Sequence, residues 1–395
     1  MQIVLSKIKP SEKEDKRVDN IVKEFLDKLN NKLVRAYAVV GGSFGKDTWL
    51  VGDHDIDIFV LFEDDIDCSN ILELALKRSF PKIERIHGSR DYFQVLYKNL
   101  NFEIVPVFRI IKAEQARNVT DVSPLHIKWV RERGEDKIRD EIRLAKQFCK
   151  AQKVYGAETF IKGFSGYVME LLVIYYGSFQ NLIKGASKWK VGHVINPGNR
   201  DFDLNPDKLS PLIVIDPVQP NRNAAAALSL DCFEKFIRSC ILYLKKPEIE
   251  FFEIKKIKLE ELKDKDLVFI AEALKGKKDV IGTKLLKVYD FIFSELNNEG
   301  YGVVNSGWEW NDKAYFWFNV KKKELSPFKE RAGPPLDKKE NAEEFRKKHL
   351  GRTIVEKDER LYVILPRQFV KLKDFVKNLL KKQEIKENVM KIKLN

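Results

Sequence analysis

Cysteine is scarce in this chain of 395 residues: four occur (Cys68, Cys149, Cys232, Cys240), and no two are spaced Cys-x-x-Cys. A disulfide framework and a zinc finger are both excluded on that spacing. Long apolar runs are lacking too. The longest, Tyr167 to Ile183, is broken by Glu170, Gln180 and Asn181 and is too polar to span a bilayer. The opening MQIVLSKIKPSEKEDK turns charged before a signal-peptide core could form. There is no internal repeat, no low-complexity segment, no Walker A motif and no Gly-x-Gly-x-x-Gly fingerprint. The expectation is a soluble, cytoplasmic protein of a reducing compartment, with no membrane contact.

Acid is in deficit. The chain carries 72 Lys and Arg against 59 Asp and Glu, a net +13, which suits a polyanionic partner such as nucleic acid or anionic lipid. The excess is uneven: residues 331–395 hold 18 basic and 10 acidic residues, a net +8. Such a run reads either as a solvated helix face or as a phosphate-tracking surface. Hydrophobic residues at 44% and aromatics at 11% supply enough core to exclude a disordered chain. At about 150 residues per domain, the length predicts two to four domains.

The first 110 residues read as a mixed α/β unit. Val18, Ile21, Val22, Phe25, Leu26, Leu29 and Leu33 give residues 11–33 a helical stripe, and Ser11 with Glu14 fits a capping box. Strands are predicted at AYAVV (36–40), DIDIFVLF (55–62), YFQVLY (92–97) and FEIVPVF (102–108), with a helix over 71–79. From about 135 to 185 the texture is helical, and residues 163–183 read as one buried helix. Residues 192–212 read as a loop or irregular hairpin, and 216–229 as a turn leading into a helix through 245. Beyond Pro247 the pattern suggests a sheet with helices. The aromatics Trp308, Trp310, Tyr315, Phe316, Trp317 and Phe318 are stacking candidates, though their alternation makes several of them core.

The chemistry concentrates in Gly41-Gly42-Ser43-Phe44-Gly45-Lys46 followed by Asp55-Ile56-Asp57. Asp-x-Asp occurs also at Asp65/Asp67 and Asp201/Asp203, but in polar sequence that reads as solvated turn. Only Asp55 and Asp57 sit in an apolar strand, on one face and about 6.5–7 Å apart. Two carboxylates there repel and lose hydration unless cations neutralise them. Oxygen ligands favour Mg²⁺, with Mn²⁺ as the alternative. Glu103 offers a third carboxylate from a later strand, enough for two ions about 3.5–4 Å apart. The glycines let backbone N–H groups approach a phosphate, Ser43 adds a hydroxyl, and Lys46 adds a cation.

A Gly-Ser turn, Asp-x-Asp on a strand and a later strand-borne carboxylate together resemble the DNA polymerase β-type nucleotidyltransferase superfamily. The segments GSFGKDTWLVGDHDIDIF, VSPLHIKWV, EIRLAKQFCKAQKVYGAE, GFSGYVMELLVIYYGSF, DPVQPNRNAAAALSLD and GPPLDKKENAEEFRKKH narrow the resemblance to the archaeal (class I) CCA-adding enzymes, which are tRNA nucleotidyltransferases. The resemblance implies an α+β multidomain fold: a mixed-sheet nucleotidyltransferase domain (1–130), a helical central domain (131–250) and an α/β RNA-binding region (251–395). It implies template-independent addition of CCA to tRNA from CTP and ATP. By the resemblance Asp55, Asp57 and Glu103 ligate the metals, and Ser43 and Lys46 hold the triphosphate. Ser123, His126, Lys146 and Tyr155 contact sugar and phosphates. Arg222 reads the base edge, with Asn223 supporting it. The C-terminal region takes the acceptor and TΨC arms, and a homodimer is compatible with it.

Pattern alone reads several of these residues more plainly: Lys146 as a solvated helix face, Tyr155 as packing, His126 as a surface or capping histidine. His54, His87, His193 and His349 show no ligand spacing. The sequence departs from the family at Glu103 and Lys46, where Asp and Arg are usual, and at Ser123, where Thr is usual; the chain is also shorter than typical members. The rival readings are another nucleotidyltransferase making poly(A) or oligoadenylate, a catalytically silent RNA-binding protein, and a membrane-surface protein.

Overall fold

The computed structural model describes every residue except 54, 64–66, 89 and 206–208. The chain folds as two compact units, Met1–Lys255 and Lys256–Asn395. In chain order the first unit contains α1 (Gln2–Ile8), α2 (Glu12–Asn30), β1 (Ala36–Val40), α3 (Gly42–Gly45), β2 (Asp55–Phe62), α4 (Cys68–Ser79), β3 (Glu84–Ile86), β4 (Tyr92–Tyr97) and β5 (Leu100–Phe108). Then follow α5 (Ser123–Arg133), α6 (Asp136–Ala151), α7 (Gly166–Tyr176), α8 (Phe179–Ala186), β6 (His193–Ile195), β7 (Leu212–Val214) and α9 (Leu230–Lys245).

Five strands form one mixed sheet in the order β1-β2-β5-β4-β3. β2 and β5 run parallel at its centre, with Asp57 opposite Glu103 and Asp55 opposite Asn101. Alternation gives the sheet two faces. Ile56, Ile58, Val60 and Phe62 pack with Phe25 and Leu29 of α2 and Leu72 and Leu76 of α4. Phe59, Leu61 and Val107 turn the other way, onto Ile127 of α5. Asp55 and Asp57 extend this second face beyond its apolar part. β4 and β5 join through Lys98 and Asn99, both at positive φ (48° and 65°), a tighter turn than the four residues read from the sequence.

The helices α6 to α9 share a second core, in which Phe148, Leu172, Phe179, Leu182, Phe233 and Phe236 are fully enclosed. The stretch 163–183, read as one helix, is two. Gly177 at φ +75° ends α7, and Ser178 Oγ accepts from the Asn181 N–H to start α8. Of the two readings of 192–212, a loop or an irregular hairpin, the described residues between β6 and β7 follow the loop, and the hairpin is corrected, since β6 and β7 pair in parallel, which no hairpin allows. α1 was not legible as a separate helix, and α2 stops at Asn30. Ser11 Oγ does accept from the Glu14 N–H, at 3.2 Å.

The second unit contains β8 (Leu267–Glu272), α10 (Lys278–Glu299), β9 (Val303–Trp310), β10 (Ala314–Val320), β11 (Phe328–Pro335), α11 (Lys339–Lys348), β12 (Ile354–Lys357), β13 (Arg360–Pro366), α12 (Leu372–Leu379), α13 (Gln383–Lys386) and β14 (Lys391–Leu394). One sheet has the order β14-β8-β10-β9, the other β11-β13-β12. Leu285, Val288 and Ile292 of α10 pack against Phe316 and Phe318 of β10 and Val376 of α12. Phe316 and Phe318 are therefore core, while Tyr315 and Trp317 on the alternate face are half-buried. No helix among the described residues is long and apolar enough to cross a membrane.

Candidate active site

The glycine turn lies directly on the acidic strand. The Gly41 N–H donates to the Asp57 carbonyl at 2.7 Å, folding the turn back over β2. Gly42 sits at φ +56°, and a Cβ there would stand 1.7 Å from Asp57 Oδ2. Only glycine satisfies both the conformation and the approach. Ser43 lies within α3, whose end is held by the Thr48 N–H donating to the Ser43 carbonyl at 2.9 Å.

Asp57 is the most perturbed carboxylate of the strand. Burial pushes its carboxyl up to about 6; Glu103 and then Asp55 push the same way, and the Lys46 charge opposes them. Asp55, further out and exposed, accepts from Asn101 Nδ2 at 3.3 Å. The three carboxylates share a face without closing around one point: among the described residues no three His, Cys, Asp or Glu side chains are gathered to hold an ion. The donor set still suits a hard divalent cation, being oxygen only and carrying the surplus negative charge that holds Asp57 up.

Lys46 is buried, and its Nζ donates to Glu170 Oε2 at 2.6 Å. Lys146 is 2% exposed, and donates to Thr48 Oγ1 and Glu170 Oε1, each at 2.8 Å. Lys146 is not the solvated helix face that pattern alone suggests: its amine is enclosed and engaged by Thr48 and Glu170. Burial raises the Glu170 carboxyl, but Lys146 and Lys46 outweigh it and hold the group at about 2. Burial lowers the Lys146 ammonium. Arg143, 2% exposed, clamps the same segment through the Asp47 carbonyl at 2.8 Å, Asp47 Oδ1 at 2.5 Å and the Trp49 carbonyl at 3.1 Å.

A second cluster forms around Asp216, which is fully enclosed. Arg222 Nη1 donates to its Oδ2 at 2.5 Å, and His126 Nε2 stands 3.0 Å from the same oxygen, within ion-pair reach but without hydrogen-bond alignment. Tyr167 Oη donates to Oδ1 at 3.1 Å, and its ring packs on His126 at 4.4 Å between centroids. Burial raises the Asp216 carboxyl, but His126, Arg222 and the Val218 N–H bring it down to about 2. The Arg222 side chain is 36% exposed, so the guanidinium is anchored on one side and open on the other. Ser123 begins α5, one turn ahead of His126, and is half-buried. Tyr155 pairs through its backbone with Phe164, and the Lys150 ammonium lies 5.4 Å from its ring centre. Burial pushes the Tyr155 hydroxyl up.

Asn223 is enclosed in the turn that carries Arg222. It is 3% exposed; its Oδ1 accepts from the Val214 N–H at 3.0 Å and the Ala225 N–H at 2.9 Å, and its Nδ2 donates to Ser210 Oγ at 3.0 Å. It braces the turn that carries Arg222, which is the supporting place the resemblance implies for it. Of the other acid pairs, Asp201 and Asp203 are exposed in irregular chain, and Asp67 precedes α4. Asp65 and His54 lie outside the described residues. Sequence reasoning missed Glu170, Asp216, Tyr167 and Thr48. A signal existed for Glu170, the one acid interrupting the longest apolar stretch.

Family models match three successive parts of the chain: a nucleotidyltransferase domain over 19–126, the second domain of tRNA nucleotidyltransferase over 140–253, and the C-terminal domain of CCA-adding enzymes over 267–391. The CCA-adding enzyme of Methanosarcina mazei is 34% identical over 88% of this chain and 81% of its own. That of Sulfurisphaera tokodaii is 33% identical over 96% and 92%, and that of Methanocaldococcus jannaschii 33% identical over 95% and 89%. In solved structures, the fold of a cytoplasmic RNA terminal U-transferase matches 65% of this chain and 98% of that one, with a TM-score of 0.52 at 13% identity. Families of this nucleotidyltransferase fold generally use divalent metal ions. With relatives a third identical along nearly its whole length, the chain belongs to the CCA-adding enzymes, the tRNA nucleotidyltransferases that build CCA ends.

Proposed function

We propose that this protein adds C, C and A in turn to the 3′ end of tRNA, taking CTP twice and then ATP and releasing pyrophosphate each time. The observation that carries the reading is the in-register pair Asp57 and Glu103 beneath the Gly41–Gly42 turn, in a chain whose relatives are CCA-adding enzymes. Asp55, Asp57 and Glu103 would hold the divalent ions, Mg²⁺ or Mn²⁺ on oxygen-ligand chemistry. Ions held there would supply a lowered pKa for the attacking hydroxyl and charge neutralisation for the leaving pyrophosphate. The remaining work falls to the chain and is chiefly positioning and charge neutralisation.

The Gly41–Gly42 turn brings backbone and the Ser43 hydroxyl to the triphosphate, with the Lys46 charge behind it. Asp216 steadies Arg222 so that its open side faces a base edge, and keeps His126 and Tyr167 at the same wall. Ser123, His126 and Tyr155 are the sugar and phosphate side of the proposal, and Lys146 acts from behind Thr48. The proposal keeps the division into 1–130, 131–250 and 251–395, supported by three successive family matches. The basic 331–395 region would grip the acceptor and TΨC arms, whose A-form helix is read by shape and backbone. A cytoplasmic homodimer completes the reading, on family membership.

The test is incorporation of labelled CTP and ATP into tRNA that ends at the discriminator base. Ordered addition of C, C and A supports the reading. Tails of A alone favour the poly(A) alternative, and U addition would align activity with the fold neighbours instead.

A further inference from the structure

Glu170 is an acid with two cations. It lies on α7, 1% exposed, and its two oxygens divide their partners: Oε2 takes Lys46 at 2.6 Å, while Oε1 takes Lys146 at 2.8 Å and Thr48 Oγ1 at 2.9 Å. A single buried Lys–Glu pair is neutral and offers an incoming anion little attraction. The second lysine leaves this cluster at net +1. The Lys46 ammonium also stands 5.2 Å from the centre of the Tyr167 ring, and its charge reaches Asp57 under the glycine turn. An ammonium on a four-carbon stem is ordinarily a mobile point charge. Here it is held by a carboxylate and a ring from α7, beside the turn that meets the phosphates.

We propose that Glu170 is a positioning residue for nucleotide binding: it fixes the Lys46 ammonium behind the glycine turn, so that the triphosphate of either substrate meets a cation already in place, while Lys146 keeps the cluster net positive. This rests on the reading of Lys46 as a triphosphate contact. Holding one cation ahead of binding removes part of the ordering cost that a free lysine would bring. The effect is blind to the base, since the cluster lies on the phosphate side, so CTP and ATP depend on it alike.

The test uses the full chain as wild type, K46M, E170Q and K46M/E170Q, with direct CTP and ATP binding and steady-state kinetics. E170Q is expected to raise KM for both nucleotides at least about tenfold, the effect of one charge-assisted hydrogen bond, with kcat and the KM for tRNA within about twofold. The double variant is expected to bind nucleotide no worse than K46M alone, because the carboxylate acts through that lysine. Additive defects overturn the inference, as does E170Q with unchanged KM while K46M is impaired. Normal nucleotide affinity in K46M overturns instead the reading of Lys46 beneath it, and this inference falls with it. E170Q leaves two enclosed lysines without a carboxylate, so E170Q/K146M is measured too. It keeps the net +1 while removing the Lys46 partner; the same KM rise is expected, and its absence contradicts the inference.

Discussion

Replacing Asp57 by Asn should silence the enzyme and, above pH 6, make it more stable. Burial, then Glu103 and Asp55, hold the Asp57 carboxyl at about 6 against an ordinary 3.8. The folded value is raised, so the folded state prefers the neutral form. The stability tied to that proton is complete below about 3.8 and is lost as pH rises through about 6. A gap of about two units corresponds to roughly 3 kcal/mol. Asn has the shape of the neutral carboxyl and no proton to lose. D57N should therefore exceed the wild type by roughly 3 kcal/mol at pH 8 in buffer free of divalent ions, and match it near pH 4. Urea unfolding at both pH values with a chelator present measures this. Added Mg²⁺ should stabilise the wild type and leave D57N nearly unchanged. A pH-independent difference, or D57N weaker than wild type at pH 8, would refute the electrostatic argument.

G42A should lose most nucleotidyl transfer while the second unit stays folded, since it combines φ +56° with a Cβ 1.7 Å from Asp57 Oδ2; CTP incorporation beside far-UV circular dichroism checks it, and near-normal activity would show that the turn can move aside. D216N should relax the choice between CTP and ATP more than it slows transfer, because it weakens the charge-assisted bond to Arg222 at 2.5 Å. A loss of about 1.5–3 kcal/mol in discrimination is expected, measured as the ratio of kcat/KM for the two nucleotides. An unchanged ratio would separate Arg222 from base reading.

The acids in an apolar strand were legible because that pattern is costly without a counter-charge: Asp55 and Asp57 fall on β2, and Glu103 is in register beside Asp57. The strands of the first sheet were legible from branched and aromatic runs bounded by turn residues, and their ends coincide with the sequence boundaries at 36–40, 55–62 and 92–97. The partners of the buried charges were not. Lys46 meets Glu170 across 124 residues and Arg143 meets Asp47 across 96, and no local pattern encodes contacts made by helix packing. Hence Lys146, spaced like a surface lysine, is enclosed, and Asn223, placed beside Arg222 in the sequence, faces the turn's own backbone. The break at Gly177 was hidden by apolar residues on both sides, which suit one helix or two.

The most direct test of the central claim gives the purified chain a tRNA that ends at the discriminator base, with all four nucleoside triphosphates and a divalent ion, and sequences the product ends. The account predicts termination at C, C, A, with no product when the ion is chelated. Homopolymeric A or U tails, or no incorporation of C, would contradict it.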